Sequence, residues 1–211
     1  MADASGLSGL LLAGGGSVRM GRDKTAGDFL FEGEPLAARV ARLLSEACEE
    51  VLVASGDGAR MTWLGLPQVA DEVPDRGPLG GLVAGISRVR RPLVAAVASD
   101  MPFASPALLR LLASLADGFD AVLPVSERGL EPLHAVYARS ARSGLRRALG
   151  EGRLAIRDAV GGLRVRLVEP PEWREADPSG RFAWNANAPG DLAGVPAPRV
   201  ATPFEERPGP D

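Results

Sequence analysis

Residues Leu10-Leu11-Leu12-Ala13-Gly14-Gly15-Gly16-Ser17-Val18-Arg19-Met20-Gly21-Arg22-Asp23-Lys24 decide the fold of this chain, because an apolar run ends in glycines and is followed by cations. The apolar run predicts a buried β-strand, and the glycines predict a loop at its carboxyl end. Glycines let backbone N–H groups approach an anion, while Arg19 and Lys24 supply positive charge for phosphate oxygens. The stretch therefore predicts a strand that opens onto a polyphosphate loop.

Two familiar phosphate loops do not match this stretch. A Walker A loop would place Lys and Ser or Thr after its second glycine, whereas Arg22 and Asp23 follow Gly21. A dinucleotide fingerprint would need a third glycine where Arg19 stands. A tight strand-to-helix turn without a ligand is the alternative interpretation of the glycines alone. The cations in register favour a different kind of nucleotide loop.

Apolar runs alternate with helical patterns along most of the chain. Runs that are apolar throughout predict strands buried on both faces, as in parallel sheets. The predicted strands cover residues 7–13, 51–54, 67–70, 92–98 and 121–124, and the predicted helices cover 35–49, 79–89 and 106–116. This order predicts a Rossmann-like α/β fold with a mainly parallel sheet, helices on both faces and, at residues 132–137, an antiparallel edge. Ligands of such sheets bind at the carboxyl ends of the strands, where the glycine loop lies.

Length and charge limit the possible classes. The 211 residues fit one domain, residues 1–194, followed by a proline-rich tail, residues 195–211, that we expect to be disordered or loosely docked. The net charge of −3 and the scattered cations argue against a nucleic-acid partner. The N-terminus lacks the charged region of a signal peptide, and residues 7–13 are too few to span a membrane. We therefore expect a cytoplasmic protein without membrane contact.

Asp100 is the candidate metal ligand. It lies in Ser99-Asp100-Met101-Pro102-Phe103, directly after the predicted strand 92–98 and therefore at the same sheet edge as the glycine loop. Mg²⁺ is usually held by one or two carboxylates together with phosphates and water, so one well-placed Asp can suffice. An Asp that only caps the turn before Pro102 is the alternative.

Three further segments are candidates for ligand contact. Asp71 ends a predicted strand and is followed by Gly77-Pro78-Leu79-Gly80-Gly81, which predicts a helix start with free N–H groups. Asn185 and Asn187 present two amides from Trp184-Asn185-Ala186-Asn187. The single histidine, His134, lies on the alternating segment 132–137. The alternatives are a solvated acidic loop, a loop-organising role for the amides, and a hydrogen-bonded core position for His134.

These motifs together resemble the nucleotidyltransferases of the molybdenum cofactor guanylyltransferase (MobA-like) family. The first stretch is similar to the family signature L-A-G-G-x-S-x-R-M-G-x-D-K, and matching segments follow in order as far as Leu192. The resemblance implies a nucleotide-diphospho-sugar transferase-like fold. It implies transfer of GMP from GTP to the terminal phosphate of molybdopterin, with Mg²⁺ as cofactor and release of pyrophosphate. Molybdoenzyme apoproteins or cofactor-insertion proteins are the implied protein partners.

The resemblance also assigns residues to roles. Arg19, Lys24 and Asp100 are the expected catalytic residues, and Asp100 is the expected Mg²⁺ ligand. Expected nucleotide contacts are Leu12, Ala13, Gly14, Gly15, Lys24, Ser55, Asp71 and Asp100. Expected acceptor contacts are Gly77, Pro78, Leu79, Gly81, His134, Asn185 and Asn187.

Some positions depart from the family pattern and leave other functions open. Ser99 and Ala188 replace the usual Cys and Thr, and Ser55 follows Ala54 where the family often has Asn. We expect Gly14 to let a purine approach the backbone, because related cytidylyl enzymes carry alanine there. The alternatives are a cytidylyltransferase or a sugar- or alditol-phosphate nucleotidyltransferase of the same fold, and an inactive nucleotide-binding protein that delivers the cofactor.

Overall fold

A mixed sheet forms the centre of the molecule in a computed structural model, which describes residues 6–14, 30–186 and 191. The strands are β1 (Leu7–Leu12), β2 (Leu30–Phe31), β3 (Glu34–Pro35), β4 (Glu50–Gly56), β5 (Gln68–Ala70), β6 (Leu93–Ala98), β7 (Ala121–Ser126), β8 (Gly129–Leu130), β9 (His134–Ala138) and β10 (Val165–Val168). The helices are α1 (Leu36–Ala47), α2 (Gly77–Arg88), α3 (Pro106–Ser114), α4 (Ala141–Gly150), α5 (Ile156–Ala159) and α6 (Pro170–Trp173). Arg19, Lys24, Gly15, Asn187 and the predicted tail 195–211 lie outside the described residues.

The strand order confirms the predicted α/β fold. The main sheet runs β10-β7-β9-β6-β1-β4-β5, with β8 paired to β7, while β2 and β3 form a separate hairpin. β1 pairs in parallel with both β4 and β6, β4 with β5, and β7 with β10. The predicted antiparallel strand is β9, which lies between β6 and β7, third from the β10 edge. Because β9 runs the other way, its first residues lie at the carboxyl ends of its neighbours.

Helices cover both faces of the sheet, as the sequence pattern predicts. α1 and α3 contribute to one apolar core with Leu11, Val53 and Val97 on the sheet. α2, α4 and α5 contribute to a second core on the other face, around Leu10 and Ala96. Adjacent strand residues thus belong to opposite cores, which explains why the central strands are apolar throughout. Among the described residues, no helix is both long and apolar enough to cross a bilayer.

A polar network closes the amino edge of the sheet, opposite the glycine loop. Ser8 is fully buried on β1, its hydroxyl donates to Glu50 Oε1 over 2.6 Å, and it accepts from the Arg91 backbone N–H over 3.2 Å. The Arg90 N–H also donates to Glu50 Oε1, over 2.7 Å. These bonds tie the start of β1 to β4 and to the turn before β6.

We expect Ser8→Ala to lower the free energy of unfolding by about 1–3 kcal/mol, because it leaves buried polar groups without a partner. Urea denaturation measures this loss. Ser45→Ala is the control. The Ser45 hydroxyl donates only to the Ala41 carbonyl one turn back in α1, so its loss should change the free energy of unfolding little. Equal stabilities of the two variants would contradict a structural role for the Ser8 network.

Candidate active site

The carboxyl ends of the parallel strands bring the candidate residues to one edge. Across the sheet, β5 leads to Asp71, β4 to Gly56, β1 to Gly14 and β6 to Asp100. The start of antiparallel β9 places His134 at the same edge. The structure thus brings together residues predicted from segments far apart in the sequence.

Gly14 and Gly56 lie in close backbone contact where β1 and β4 end. A β-carbon at Gly14 would lie 3.0 Å from Gly56 N and 3.3 Å from Gly56 Cα. The Ala13 N–H donates to the Ala54 carbonyl over 2.9 Å, which extends the pairing to the loop. Gly56 itself has a φ of +81°, which favours glycine. The close approach of Gly56 already explains why residue 14 has no side chain. Room for a purine is therefore not needed to explain Gly14.

We expect Gly14→Ala to separate the ends of β1 and β4 and to destabilise the protein by about 1–3 kcal/mol. Since the clash is internal, turnover with GTP and with CTP should fall together. Thermal denaturation and initial rates with the two nucleotides check this. A selective loss with GTP alone would restore the explanation based on the purine.

Asp71 supplies a carboxylate at the carboxyl edge of the sheet, next to β5. Its backbone N–H donates to the Gly56 carbonyl over 2.9 Å, and its side chain lies against the glycine face of α2. A β-carbon at Gly80 would lie 3.0 Å from Asp71 Oδ2. Oδ1 is buried and has no hydrogen-bond partner among the described residues, and burial raises the pKa of the carboxyl to about 6. A buried acceptor without a partner is positioned for a ligand that donates hydrogen bonds.

The start of α2 lies beside Asp71. Gly77 has a φ of +60° and Pro78 follows at the first turn, so the predicted helix start is present. Gly81 packs against Ala54 and Leu12, while the Leu79 side chain is fully buried in the core. The segment lies next to Asp71, Leu12 and Ala54. An acceptor contact at Leu79 stays a prediction, which its backbone rather than its buried side chain would have to make.

The loop that carries Asp100 is anchored from several directions. The Ser99 N–H donates to the Leu12 carbonyl over 3.0 Å, so β1 and β6 stay paired up to the loop. Arg39 of α1 donates through Nε to the Pro102 carbonyl over 2.8 Å. The Ala186 N–H donates to the Asp100 carbonyl over 2.8 Å. Asp100 Oδ1 is itself buried. A carboxylate is thus held in the middle of the edge.

The segment from Trp184 to Ala186 supplies the other side of the site. Its Ala186 contact brings Asn185 next to the Asp100 loop. Asn185 Oδ1 and Trp184 Nε1 are both buried without a hydrogen-bond partner in the described part of the chain. The Arg128 guanidinium lies 5.6 Å from the centre of the Trp184 ring. Sequence reasoning misses this contact, because no local pattern links Trp184 to the turn between β7 and β8.

His134 and Ser55 lie inside the fold rather than on its surface. His134 is fully buried, its Nε2 accepts from the Ser105 N–H over 3.0 Å, and burial lowers the pKa of the imidazole to about 4. This is the hydrogen-bonded core position that the sequence offers as the alternative, and an acceptor contact of His134 stays a prediction. Ser55 is fully buried as well, and its hydroxyl has no partner among the described residues.

Other positions of the site contribute backbone. Leu12 and Ala13 are buried, and their side chains pack in the two opposite cores. Gly14 is the last residue described before the predicted phosphate loop. A ligand at this edge would therefore meet main chain at the end of β1, between the carboxylates of Asp71 and Asp100.

An α/β sheet with Gly14, Gly56 and two carboxylates at its carboxyl edge is typical of nucleotide-binding proteins. The family model described as MobA-like NTP transferase domain matches residues 9–167. The chain belongs to this family and is a nucleotidyltransferase. The resemblance seen in the sequence is confirmed.

Relatives and solved structures match this chain over most of its length. A probable molybdenum cofactor guanylyltransferase of Chloroflexus aggregans is 39% identical over 197 residues, covering 90% of this chain and 94% of the relative. The molybdenum cofactor guanylyltransferase of Desulfosudis oleivorans is 30% identical and covers 92% and 98%. The crystal structure of molybdopterin-guanine dinucleotide biosynthesis protein A from Archaeoglobus fulgidus superimposes with a TM-score of 0.73 at 27% identity, covering 88% and 94%. The 2-C-methyl-D-erythritol 4-phosphate cytidylyltransferase of Thermus thermophilus, at 18% identity and a TM-score of 0.62 over 87% and 94%, shares the fold.

Proposed function

We propose that this nucleotidyltransferase transfers GMP from GTP to the terminal phosphate of molybdopterin. The names of relatives that match nearly the whole chain support the guanylyl donor and the molybdenum cofactor acceptor. The observation that carries the proposal in the structure is the Asp71 carboxylate, whose buried Oδ1 has no partner among the described residues. Guanine offers adjacent N1–H and 2-amino donors, whereas the pairing edge of cytosine lacks that pair of donors.

The nucleotide side of the site is formed by the ends of β1, β4 and β5. Asp71 would accept the donors of guanine, and the main chain at Leu12, Ala13 and Gly14 would lie along the nucleoside. Gly15 and Lys24 of the predicted loop, with Arg19, would neutralise the triphosphate. The missing side chain at Gly80 makes room for the Asp71 carboxylate, because a β-carbon there would lie 3.0 Å from Oδ2.

Mg²⁺ fits the carboxylate at the end of β6. Asp100 presents a buried Oδ1 at the edge, and Mg²⁺ prefers carboxylate oxygens supplemented by phosphates and water. A set of three or more candidate metal-binding side chains does not occur among the described residues, so phosphate and water oxygens would complete the coordination. Bound Mg²⁺ would neutralise charge on the triphosphate.

The acceptor side is formed by the segment around Asn185, together with Asn187 of the sequence. Trp184 supplies a flat ring and an N–H donor, and Asn185 supplies a carbonyl acceptor. A pterin is a flat heterocycle with donors and acceptors on its edge, which matches this set. Gly81 lies on the opposite side of the edge, next to Asp71. The acceptor contacts of Gly77, Pro78 and Gly81 stay predictions.

The transfer itself needs charge stabilisation more than proton transfer. An oxygen of the acceptor phosphate forms a bond to the α-phosphorus of GTP, and the bond from that phosphorus to the bridging oxygen of pyrophosphate breaks. The attacking phosphate is already an anion, so no side chain has to remove a proton. Arg19, Lys24 and Asp100 therefore suffice as catalytic residues. Molybdoenzyme apoproteins or cofactor-insertion proteins as partners, and a cytoplasmic location, stay predictions.

The test is an assay with four nucleotides. Purified protein is incubated with Mg²⁺, molybdopterin and each labelled nucleoside triphosphate, and both pyrophosphate and the nucleotide linked to the pterin are measured. We expect GMP to be transferred at least tenfold faster than CMP, because a buried carboxylate left unpaired by cytosine costs about 1–3 kcal/mol. Equal transfer of CMP would replace the guanylyl function by the cytidylyl alternative.

A further inference from the structure

His134 contacts two parts of the site that come from different segments of the chain. Its Nε2 accepts from the backbone N–H of Ser105, the N-cap residue of α3. Its ring lies 5.1 Å from the ring of Phe182, centre to centre. Ser105 ends the loop that Asp100 begins, and Phe182 lies two residues before Trp184. One buried ring therefore contacts the end of the carboxylate loop and the turn that precedes the acceptor segment.

The chemistry of the ring fixes its protonation state. Because Nε2 accepts a hydrogen bond, the imidazole is neutral and carries its proton on Nδ1. Burial disfavours the charged form, which keeps the ring neutral at physiological pH. Nδ1 has no hydrogen-bond partner among the described residues, so the bond to Ser105 is the one that the ring makes to a neighbouring element there.

The position of His134 in the sheet also relates it to the Asp100 loop. On β9 it is the register partner of Val97 of β6, the strand that leads directly into Asp100. The other anchors of the loop, from Leu12, Ala186 and Arg39, act on Ser99, Asp100 and Pro102. The bond from His134 is therefore the anchor at the far end of the loop, where α3 begins.

We propose that His134 is a positioning residue of the transfer reaction. Its Nε2 fixes the end of the Asp100 loop and its ring fixes the turn before Trp184, which sets the distance between the carboxylate and the acceptor side. The inference rests on the proposed function for the identity of the two substrates, but not for the contacts of the ring. A displacement of about 1 Å between reacting groups can reduce turnover up to about 100-fold.

Two substitutions separate the hydrogen bond from the packing. His134→Gln keeps an acceptor at about the depth of Nε2, whereas His134→Leu fills a similar volume and cannot accept. Ser8→Ala is the matched control, because it also removes a buried hydrogen-bonding group, but at the opposite edge of the sheet. Each variant is compared with the wild-type protein by thermal denaturation before its activity is measured.

The kinetic readout uses whichever nucleoside triphosphate the wild-type protein transfers. We expect His134→Leu to lower kcat about tenfold or more while the KM for that nucleotide stays within about threefold. His134→Gln should recover kcat to within about threefold of wild type, and Ser8→Ala should leave kcat unchanged. If His134→Gln is as impaired as His134→Leu, or if neither variant loses activity, His134 does not position the site through this bond.

Hydrogen–deuterium exchange tests the same contact without turnover. Amides from Met101 to Leu109 should exchange faster in His134→Leu than in wild type, and at the wild-type rate in His134→Gln. Unchanged exchange in His134→Leu would overturn the inference. A wild-type protein that transfers no nucleotide to molybdopterin would contradict the proposed function instead, and exchange would still decide the role of His134.

Discussion

Asp100→Asn is expected to lower kcat by about 10²–10³-fold while the protein stays folded. The substitution replaces one carboxylate oxygen by an amide at the end of β6, where the proposed Mg²⁺ would bind, and it keeps the size of the side chain. The backbone carbonyl that accepts from Ala186 is untouched, so the acceptor segment stays in place. Initial rates over a range of Mg²⁺ concentrations measure the loss, and thermal denaturation confirms the fold.

Asp120→Asn is the matched control for this experiment. Asp120 precedes β7 at the opposite edge of the sheet, and its carboxylate accepts from Arg164 and Ser140, which lowers its pKa to about 2. Because the pKa is lower in the folded state, the carboxylate stabilises the protein above about pH 4, and this stabilisation is lost as the pH falls towards 2. Asp120→Asn should therefore reduce the melting temperature at neutral pH and leave kcat unchanged. Near-normal turnover of Asp100→Asn at saturating Mg²⁺ would remove Asp100 from the site.

The elements of this fold were predictable wherever a local pattern dictates them. Strands buried on both faces, such as β1 and β6, are apolar throughout, and Gly77-Pro78 marks the start of α2. The predicted strand 121–124 is longer in the structure, because β7 extends to Ser126 and pairs with β8. The neighbours of β9 depend on contacts between distant segments, so the sequence predicts an antiparallel strand at an edge, whereas β9 lies between β6 and β7.

The features of the site also divide into those that a local pattern predicts and those that depend on distant contacts. Asp71 and Asp100 were predictable because each follows a strand and therefore lies at the carboxyl edge. The pairing of Arg128 with Trp184 was not, since it joins a hairpin turn to a segment far along the chain. The alternating strand offers a hydrogen-bonded core position for His134, but the partners in that core, the Ser105 N–H and the Phe182 ring, come from distant segments and are not predictable. Local chemistry predicts which residues reach the edge, and tertiary packing decides which of them can meet a ligand.

Asp71→Asn is expected to raise the KM for GTP about 10- to 100-fold with a smaller effect on kcat. Asn keeps the shape of the side chain but replaces an oxygen that accepts from the guanine edge by an amide that donates, and a lost hydrogen bond to a charged group costs about 1.5–3 kcal/mol. The substitution should not lower the melting temperature at pH 8. Burial raises the pKa of Asp71 in the folded state to about 6, so the charged carboxylate opposes folding above that pH, and Asn removes the charge.

The pH dependence gives this prediction a second, independent readout. As the pH falls through about 6, Asp71 takes up a proton and should bind guanine less well, so the KM of the wild-type protein should rise. The phosphates of GTP also bind protons in this range, with a pKa of about 6 for a terminal phosphate, so the informative quantity is the ratio of the KM values of Asp71→Asn and wild type. That ratio should shrink as the pH falls below 6, because the wild-type protein loses the charge that the variant lacks. Glu72→Gln, which changes the next carboxylate and its ion pair with Arg142, should keep the wild-type KM at every pH. A ratio that stays constant from pH 5 to pH 8 would show that Asp71 does not contact the base through its carboxylate.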